Sequence, residues 1–341
     1  MSAPLVHLWH ATSRFRLVLV LVIAMFILFS VSQPEFATST NIKNLVANSS
    51  MLWVVAMGMT FVLLSGGFDL SVGATAALTG IFLAKVLETG LPGGLVLLLA
   101  VLFGAVVGGL LNGFPVGRLG LSVFVVTLAT MTGITGAVNL WSDSQSFLVT
   151  DPLVARLGTG DVLGVPMPIC LMVVVFLVAF YVQTFTYFGR DMYAVGGSVT
   201  AARLSGIHVP RTLVMVYAFA GACAALSGLI AVGRVGAAVP TVDGTLALQA
   251  IAAVLLGGTA LTGGAGGVNG TAIGVLFIAV LQNGLSLAGV ASDWQNVVTG
   301  VILILAVMGD RLGFGELMRS SLLRPAVRST GETVLTSKEA Q

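Results

Sequence analysis

Thr132, Thr135 and Asn139 recur at i, i+3 and i+7 within one apolar run, a spacing that puts two hydroxyls and an amide on a single helical face. Such groups both donate and accept hydrogen bonds, so the face suits a neutral polar solute better than an ion. Thr127 and Thr130 share that run and Asn283 lies on a later one; all six are candidates to line a translocation path. The same groups can instead bond helix to helix. Charges are nearly missing from the apolar runs. Asp69 sits at a break between two of them, where an Asp is expected to cap a helix rather than relay protons. Asp293 and Asp310 flank the last run, and Lys85 and Glu88 lie near a run's end, where long side chains can snorkel.

Enzymatic chemistry has no matching residues. None of Lys43, Lys85 and Lys338 follows a glycine, so there is no Walker A loop to cradle nucleotide phosphates. No H-E-x-x-H, G-x-S-x-G or carboxylate pair is present. His7, His10 and His208 are scattered, and Cys170 and Cys223 lie inside apolar runs, so neither a metal site nor a disulfide framework is expected. The chain is expected to be non-catalytic and to hold no metal or cofactor.

The elements that must position these groups follow from composition. Of 341 residues, 57% are hydrophobic and 8% charged, against roughly 25% charge in a soluble domain; the mean hydropathy is +1.06. Runs such as Leu17 to Phe29 and Ile169 to Val182 are apolar all round, which excludes the alternation of a membrane barrel. An all-α polytopic membrane protein is predicted. Spans are expected near 17–32, 48–64, 70–87, 94–111, 121–140, 166–188, 212–232, 246–262, 268–288 and 294–309, ten in all. The first run follows Arg14 and Arg16 but meets no small-x-small cleavage site before Pro34, and is read as a span rather than a signal peptide.

With the N-terminus inside, Arg14, Arg16, Arg118, Arg190, Arg203, Arg211, Arg311, Arg319, Arg324, Arg328 and Lys338 are cytoplasmic, and Lys43, Lys85, Arg156 and Arg234 are outside. That distribution obeys the positive-inside rule. The expected organisation is a cytoplasmic tail over 1–16, a transmembrane domain over 17–309 with a cytoplasmic loop at 189–211, and a cytoplasmic tail over 310–341.

The chain has 43 glycines. Gly104-x3-Gly108, Gly109-x3-Gly113 and Gly270-x3-Gly274 are helix-packing patterns. Two further clusters match each other: Ser65-Gly66-Gly67-x5-Gly73 and Thr262-Gly263-Gly264-x5-Gly270 each join two apolar runs with almost no polar loop. Gly66, Gly67 and Asp69, and Gly263 and Gly264, are therefore expected at broken helices of an internal repeat.

Several long segments, in order, carry a family resemblance: AMGMTFVLLSGGFDLSVG (56–73), VVTLATMTG (125–133), AVGGSVTAARLSGI (194–207), LGGTALTGGAGGVNGTAIG (256–274) and NGLSLAGV (283–290). From about Asn44 to Asp310 the chain resembles the integral membrane permease subunit of bacterial ABC importers for ribose, xylose and related monosaccharides. The resemblance implies a subunit of about ten helices in the inner membrane that pairs with a second permease copy or paralogue. It further implies a cytoplasmic ATPase, which binds the ATP and Mg, and an extracytoplasmic sugar-binding protein. Ser198 replaces the usual Asn of the loop motif, Phe68 replaces an aliphatic residue, and Thr135 stands where ribose-type members often carry Arg, so the sugar stays open. Branched-chain amino-acid and nucleoside permeases are related readings; an ATP-independent facilitator or ion-coupled carrier is the reading from another class.

Within the loop, Ser198 can cap a short helix through Ala201, Ala202, Arg203 and Leu204, which Gly206 can end in a left-handed conformation before Pro210. Ser198 to Ile207, with Ala201, Ala202 and Leu204 as the apolar surface, Arg203 as an ionic contact and Ser205 at the helix end, is the expected coupling contact with the ATPase.

Overall fold

The computed structural model describes residues 3–311, which are mainly helical. In chain order the helices are α1 (Ala3–Ser32), α2 (Ser39–Asn48), α3 (Ser50–Leu64), α4 (Val72–Leu87), α5 (Gly93–Val107) and α6 (Phe114–Leu119), the last two joined without a loop by a π-helical stretch, Gly108–Gly113. There follow α7 (Val123–Ser142), α8 (Pro152–Thr159), α9 (Met167–Phe185), α10 (Tyr187–Gly197), α11 (Val199–Leu204), α12 (Val209–Val235), α13 (Gly244–Leu256), α14 (Val268–Leu287) and α15 (Ser292–Arg311). Two antiparallel ribbons complete the described residues: β1 (Phe147–Leu148) with β4 (Ala237–Ala238), and β2 (Asp161–Val162) with β3 (Val165–Pro166). The C-terminal tail, with Arg319, Arg324, Arg328 and Lys338, lies outside the described residues from 312 onward.

Each of the ten expected apolar runs contains a helix, but the helices are unequal, and the run 246–262 is helical only to Leu256. Among the described residues five helical stretches are long and apolar enough to cross a bilayer: Gly93–Leu119, Val123–Ser142, Met167–Phe185, Val209–Val235 and Val268–Leu287. A sixth arises if α2 and α3, bent by 41° at their junction, count as one. Two of the others, α4 and α13, fall short for a geometric reason. α4 has 16 residues and α13 has 13, which at 1.5 Å per residue gives about 24 Å or less against a hydrocarbon core of about 30 Å. Each of these short helices is interrupted at a glycine-rich break.

α3 and α12 form the centre. α3 is apolar around its whole circumference, and every residue from Leu52 to Leu64 is buried; such a helix needs neighbours on all sides, and α9, α12, α13 and α14 supply them. α12 packs against α3, α4, α5 and α8. Small residues permit this crowding: a Cβ on Gly104 would stand 2.7 Å from the Gly221 carbonyl oxygen, and one on Gly113 2.7 Å from the Val214 Cα. The glycine patterns over 104–113 thus seat α5 and the π-helical stretch on α12, and Gly270 and Gly274 seat α14 on α13, as packing patterns within one chain.

The bundle has two distinct ends. At one lie the end of α3, α10, α11, the start of α12 and the long connection 257–267. At the other lie α2, α8, the ribbons, the start of α13 and the end of α14, tied together by Arg234 to Ala47 O (3.1 Å) and Asn41 to Asn283 (2.9 Å).

Candidate coupling site and translocation path

Thr186 opens the first end. Its Oγ1 accepts the Gly189 amide (3.1 Å) and caps α10. α10 stops at Ser198, whose extended backbone (φ −165°, ψ 113°) turns the chain and whose Oγ accepts the Ala201 amide (3.2 Å). α11 then runs to Leu204 and closes in a Schellman arrangement: the Ile207 amide donates to Ala202 O and the Gly206 amide to Arg203 O, both at 3.0 Å. Gly206 carries the left-handed φ of +84° that this closure requires. Capping residue, stop residue and helix length all match the sequence reading.

The orientation of α11 differs from that reading at one residue. Ala202 is 2% exposed and packs inward with Val195 and Val209, beside Ile207 and Leu213. It is the anchor of α11 rather than part of a docking face. The outward surface consists of Val199, Ala201 and Leu204, the last 86% exposed, with Arg203, Ser205 and Gly206 also exposed.

Immediately behind α11 three chain segments meet backbone to backbone. The Gly264 amide donates to Leu64 O (2.9 Å). A Cβ on Gly263 would stand 2.7 Å from the Gly66 nitrogen and 3.0 Å from the Gly196 Cα, and one on Gly264 2.9 Å from the Gly197 Cα. The two matched glycine clusters therefore touch each other, and the end of α10 sits on both. The connection 257–267 is fixed further by side chains that sequence reasoning missed. Gln183 Oε1 accepts the Val268 amide (2.9 Å), Thr259 Oγ1 accepts the Gly267 amide (3.2 Å), and the Tyr193 hydroxyl donates to Gly266 O (2.7 Å). Burial pushes the Tyr193 phenol up to about 12, which keeps it a proton donor at neutral pH.

The N-cap of α4 is Ser71 and has no side-chain cap, so Asp69, expected as a cap, instead closes a turn two residues ahead of it. It is 1% exposed; its Oδ1 accepts the Ser71 amide (2.8 Å) and the Ser71 hydroxyl (2.6 Å) ahead of α4. Asn112 Nδ2 reaches both carboxylate oxygens at 3.2 Å and Ser71 Oγ at 2.8 Å. Asn112 belongs to the π-helical stretch, whose wider turn is a common device for aiming a side chain. The only signal for it in the sequence is an amide in an otherwise apolar run. Tyr217 of α12 closes the group by donating to Phe68 O (3.3 Å).

The path candidates fall in two places. On α7, Thr127 is buried and Thr130 and Thr135 are half-buried, while Thr132 and Asn139 are exposed. Thr127, Thr132 and Thr135 donate to the carbonyl four residues back, which leaves their lone pairs available; Thr130 donates to Leu111 O at 3.4 Å. The face with Thr132, Gly133, Gly136 and Asn139 points out of this single chain, with no atoms near either glycine. Asn283 is elsewhere, on α14. It exchanges amide hydrogen bonds with Asn41 (2.9 and 3.2 Å) and lines a cavity of about 320 Å³.

Comparison with known proteins agrees with this architecture. Residues 41–307 match the family model described as the permease component of the branched-chain amino acid transport system. The ribose import permease protein RbsC of Bacillus subtilis is 42% identical over 287 residues, 84% of this chain and 89% of its own length. Its namesake in Haemophilus influenzae is 40% identical over 285 residues, 82% and 88%. The D-allose transport system permease protein AlsC of Escherichia coli is 34% identical over 298 residues, 86% and 90%. No solved structure matches the chain. On the match over 41–307 and on these identities across most of both chains, the chain belongs to this family of transport permeases, among its ribose-type sugar members.

Proposed function

We propose that the chain is the membrane-spanning subunit of an ATP-binding-cassette importer and forms the path for a neutral monosaccharide handed over by an extracytoplasmic binding protein. The observation that carries the coupling role is the placement of α11. It is a capped helix of six residues with Val199, Ala201 and Leu204 outward, and it is joined through Gly196 and Gly197 to both helix breaks. A helix so short is marginal in water and gains from a partner groove. A push on α11 by a cytoplasmic ATPase would reach both breaks through backbone contacts alone. ATP and Mg belong to that ATPase.

Ten crossings follow if α1, α3, α4, α5 with α6, α7, α9, α12, α13, α14 and α15 alternate in direction, with the short ones completed by their glycine breaks. On that reading both termini and the 189–211 loop are cytoplasmic, which the positive-inside count supports. A second copy or a paralogue across the outward face of α7 would turn Thr132, Thr135 and Asn139 toward a shared path. The family description favours a second reading, import of branched-chain amino acids. A zwitterion calls for charged partners, and the path candidates are uncharged, which favours the sugar.

Affinity purification of the full chain from its native membrane, followed by ATPase measurement with D-ribose, D-xylose, D-allose and L-leucine, tests the proposal. The expected result is co-purification of an ATPase whose turnover rises with one of the sugars and falls away in Leu204→Asp. Stimulation by leucine alone overturns the sugar; failure to retain any ATPase overturns the coupling role.

A further inference from the structure

α6 and α12 run antiparallel across a seam that glycines make tight. A Cβ on Gly117 would stand 2.9 Å from Pro210 O, and one on Gly113 2.7 Å from the Val214 Cα. A helix turns about 100° per residue. In an antiparallel pair, the residues that follow a contact on each helix therefore fall on the same side of the seam. Arg118 thus lies beside Arg211, and Phe114 beside Met215 one turn deeper. From this juxtaposition we propose that the seam binds the phosphate of an anionic phospholipid, next to the seat of α11. The binding rests on the seam itself; its cytoplasmic placement and its effect on coupling rest on the importer reading above.

Three observations carry it. The first is unmet charge. Arg118 and Arg211 are exposed, and neither guanidinium makes a hydrogen bond, ion pair or ring contact to any described residue. Arg190 and Arg234, by contrast, are engaged, the one over the Tyr187 ring (4.3 Å) and the other with Ala47 O (3.1 Å). Two like charges held together by backbone packing repel each other, and an anion between them removes that cost. A phosphodiester can accept from both planar forks at once.

The second is the surface beneath. Phe114 and Arg118 stand at i and i+4 on one helical face, as do Arg211 and Met215, and both apolar side chains are exposed. Leu119 and Leu121, flanking the Arg118 turn, are exposed as well. A soluble phosphate gains nothing from such a wall. A lipid covers it with acyl chains while its headgroup meets the arginines, which commits the site to a lipid.

The third is position. Val209, the first residue of α12, packs on Ala202, the anchor of α11. The next two residues, Pro210 and Arg211, supply the seam and half of the phosphate site. A bound lipid therefore clamps the start of α12 to α6 and steadies the ground on which α11 rests.

The test purifies the full chain with its ATPase in mild detergent and reads bound phosphatidylglycerol by native mass spectrometry. Sugar-stimulated ATPase is then measured in vesicles of phosphatidylcholine, alone or with phosphatidylglycerol in equal parts. The native chain is expected to retain phosphatidylglycerol. Arg118→Gln and Arg211→Gln should each lower retention about fivefold, and the two together about twenty-fivefold, as expected for one and two arginines at a membrane surface. Arg118→Lys should recover part of the loss, and Arg190→Gln should retain lipid as the native chain does. Phosphatidylglycerol should raise the ATPase rate of the native complex and not that of the doubly substituted one. Equal retention by the native and doubly substituted chains overturns the site. An equal loss in Arg190→Gln overturns it too, by showing diffuse surface charge only. Displacement of the lipid by soluble glycerol 3-phosphate overturns the lipid as occupant. Retention as expected with an ATPase indifferent to lipid overturns the clamp. Retention as expected with no response to any sugar removes the importer reading and leaves the lipid site standing.

Discussion

The amide of Gly264 donates to the carbonyl of Leu64 at 2.9 Å, linking the connection after α13 to the last residue of α3. Leu64 O is one of the carbonyls that the end of α3 leaves without an intrahelical partner. It is satisfied by the matching break from the other half of the chain. Gly196, the end of α10, sits against both, close enough that a Cβ there would collide with the Leu64 carbonyl and the Gly264 amide. The two breaks and the end of α10 therefore form one joint, backbone against backbone, with no side chain between them to yield.

Gly263→Val should disable that joint without preventing insertion. Gly263 has φ +87°, a conformation costing about 1–2 kcal/mol for a residue with a Cβ. The added side chain also meets Gly66 and Gly196 backbone, an overpacking cost of about 1–3 kcal/mol. The expected outcome is loss of nearly all uptake with a normal amount of chain in the membrane, read by transport and quantitative blotting.

Gly206→Val separates strain from crowding. Its φ of +84° carries the same conformational penalty, but no atom lies within 4 Å of a Cβ there. α11 should lose its closing turn while the bundle is untouched, so uncoupled or detached ATPase is expected, without a fall in the melting temperature of the purified chain. Ser198→Ala removes the cap at the other end, worth about 1 kcal/mol, and should give a milder version of the same defect.

Much of this joint is legible in the sequence, and the reason is local. Ser198, Gly206 and the paired glycines declare caps, stops and breaks through their own backbone preferences, and each does what its residue type predicts. What depends on tertiary placement is not legible. The inward turn of Ala202 is set by Val195 and Val209, the aim of Asn112 by a π-helical stretch, and the pairing of Asn283 by Asn41 on a helix far away in sequence. Helix lengths were blurred for a related reason: hydropathy continues through glycine breaks where the helix does not, as at the end of α13.

Asp69→Asn should leave transport within a few-fold of native, because the group acts through hydrogen bonds to Ser71 that an amide oxygen can still accept. Asn112→Leu should be worse for stability, about 1.5–3 kcal/mol, since it strips the buried carboxylate of a donor that reaches both oxygens. Combining the two should cost less than their sum. Thermal melting of the detergent-solubilised chain reads the order. Abolished uptake in a normally melting Asp69→Asn would mean that the acid carries protons.

Orientation can be decided from two exposed positions at opposite ends of the bundle. Leu163, in the turn between β2 and β3, is 99% exposed, and Ser198 is exposed at the cap of α11. The native thiols offer little background, one buried and one half-buried, and both can be replaced. With the distribution of Lys and Arg putting the 189–211 loop inside, Leu163→Cys should react with an impermeant maleimide in intact cells. Ser198→Cys should react only after the membrane is opened. The two sites are on different connections, so a local distortion in one variant leaves the other informative. Labelling of Ser198→Cys from outside, with Leu163→Cys protected, would invert the molecule and move the proposed coupling surface to the wrong side for an importer.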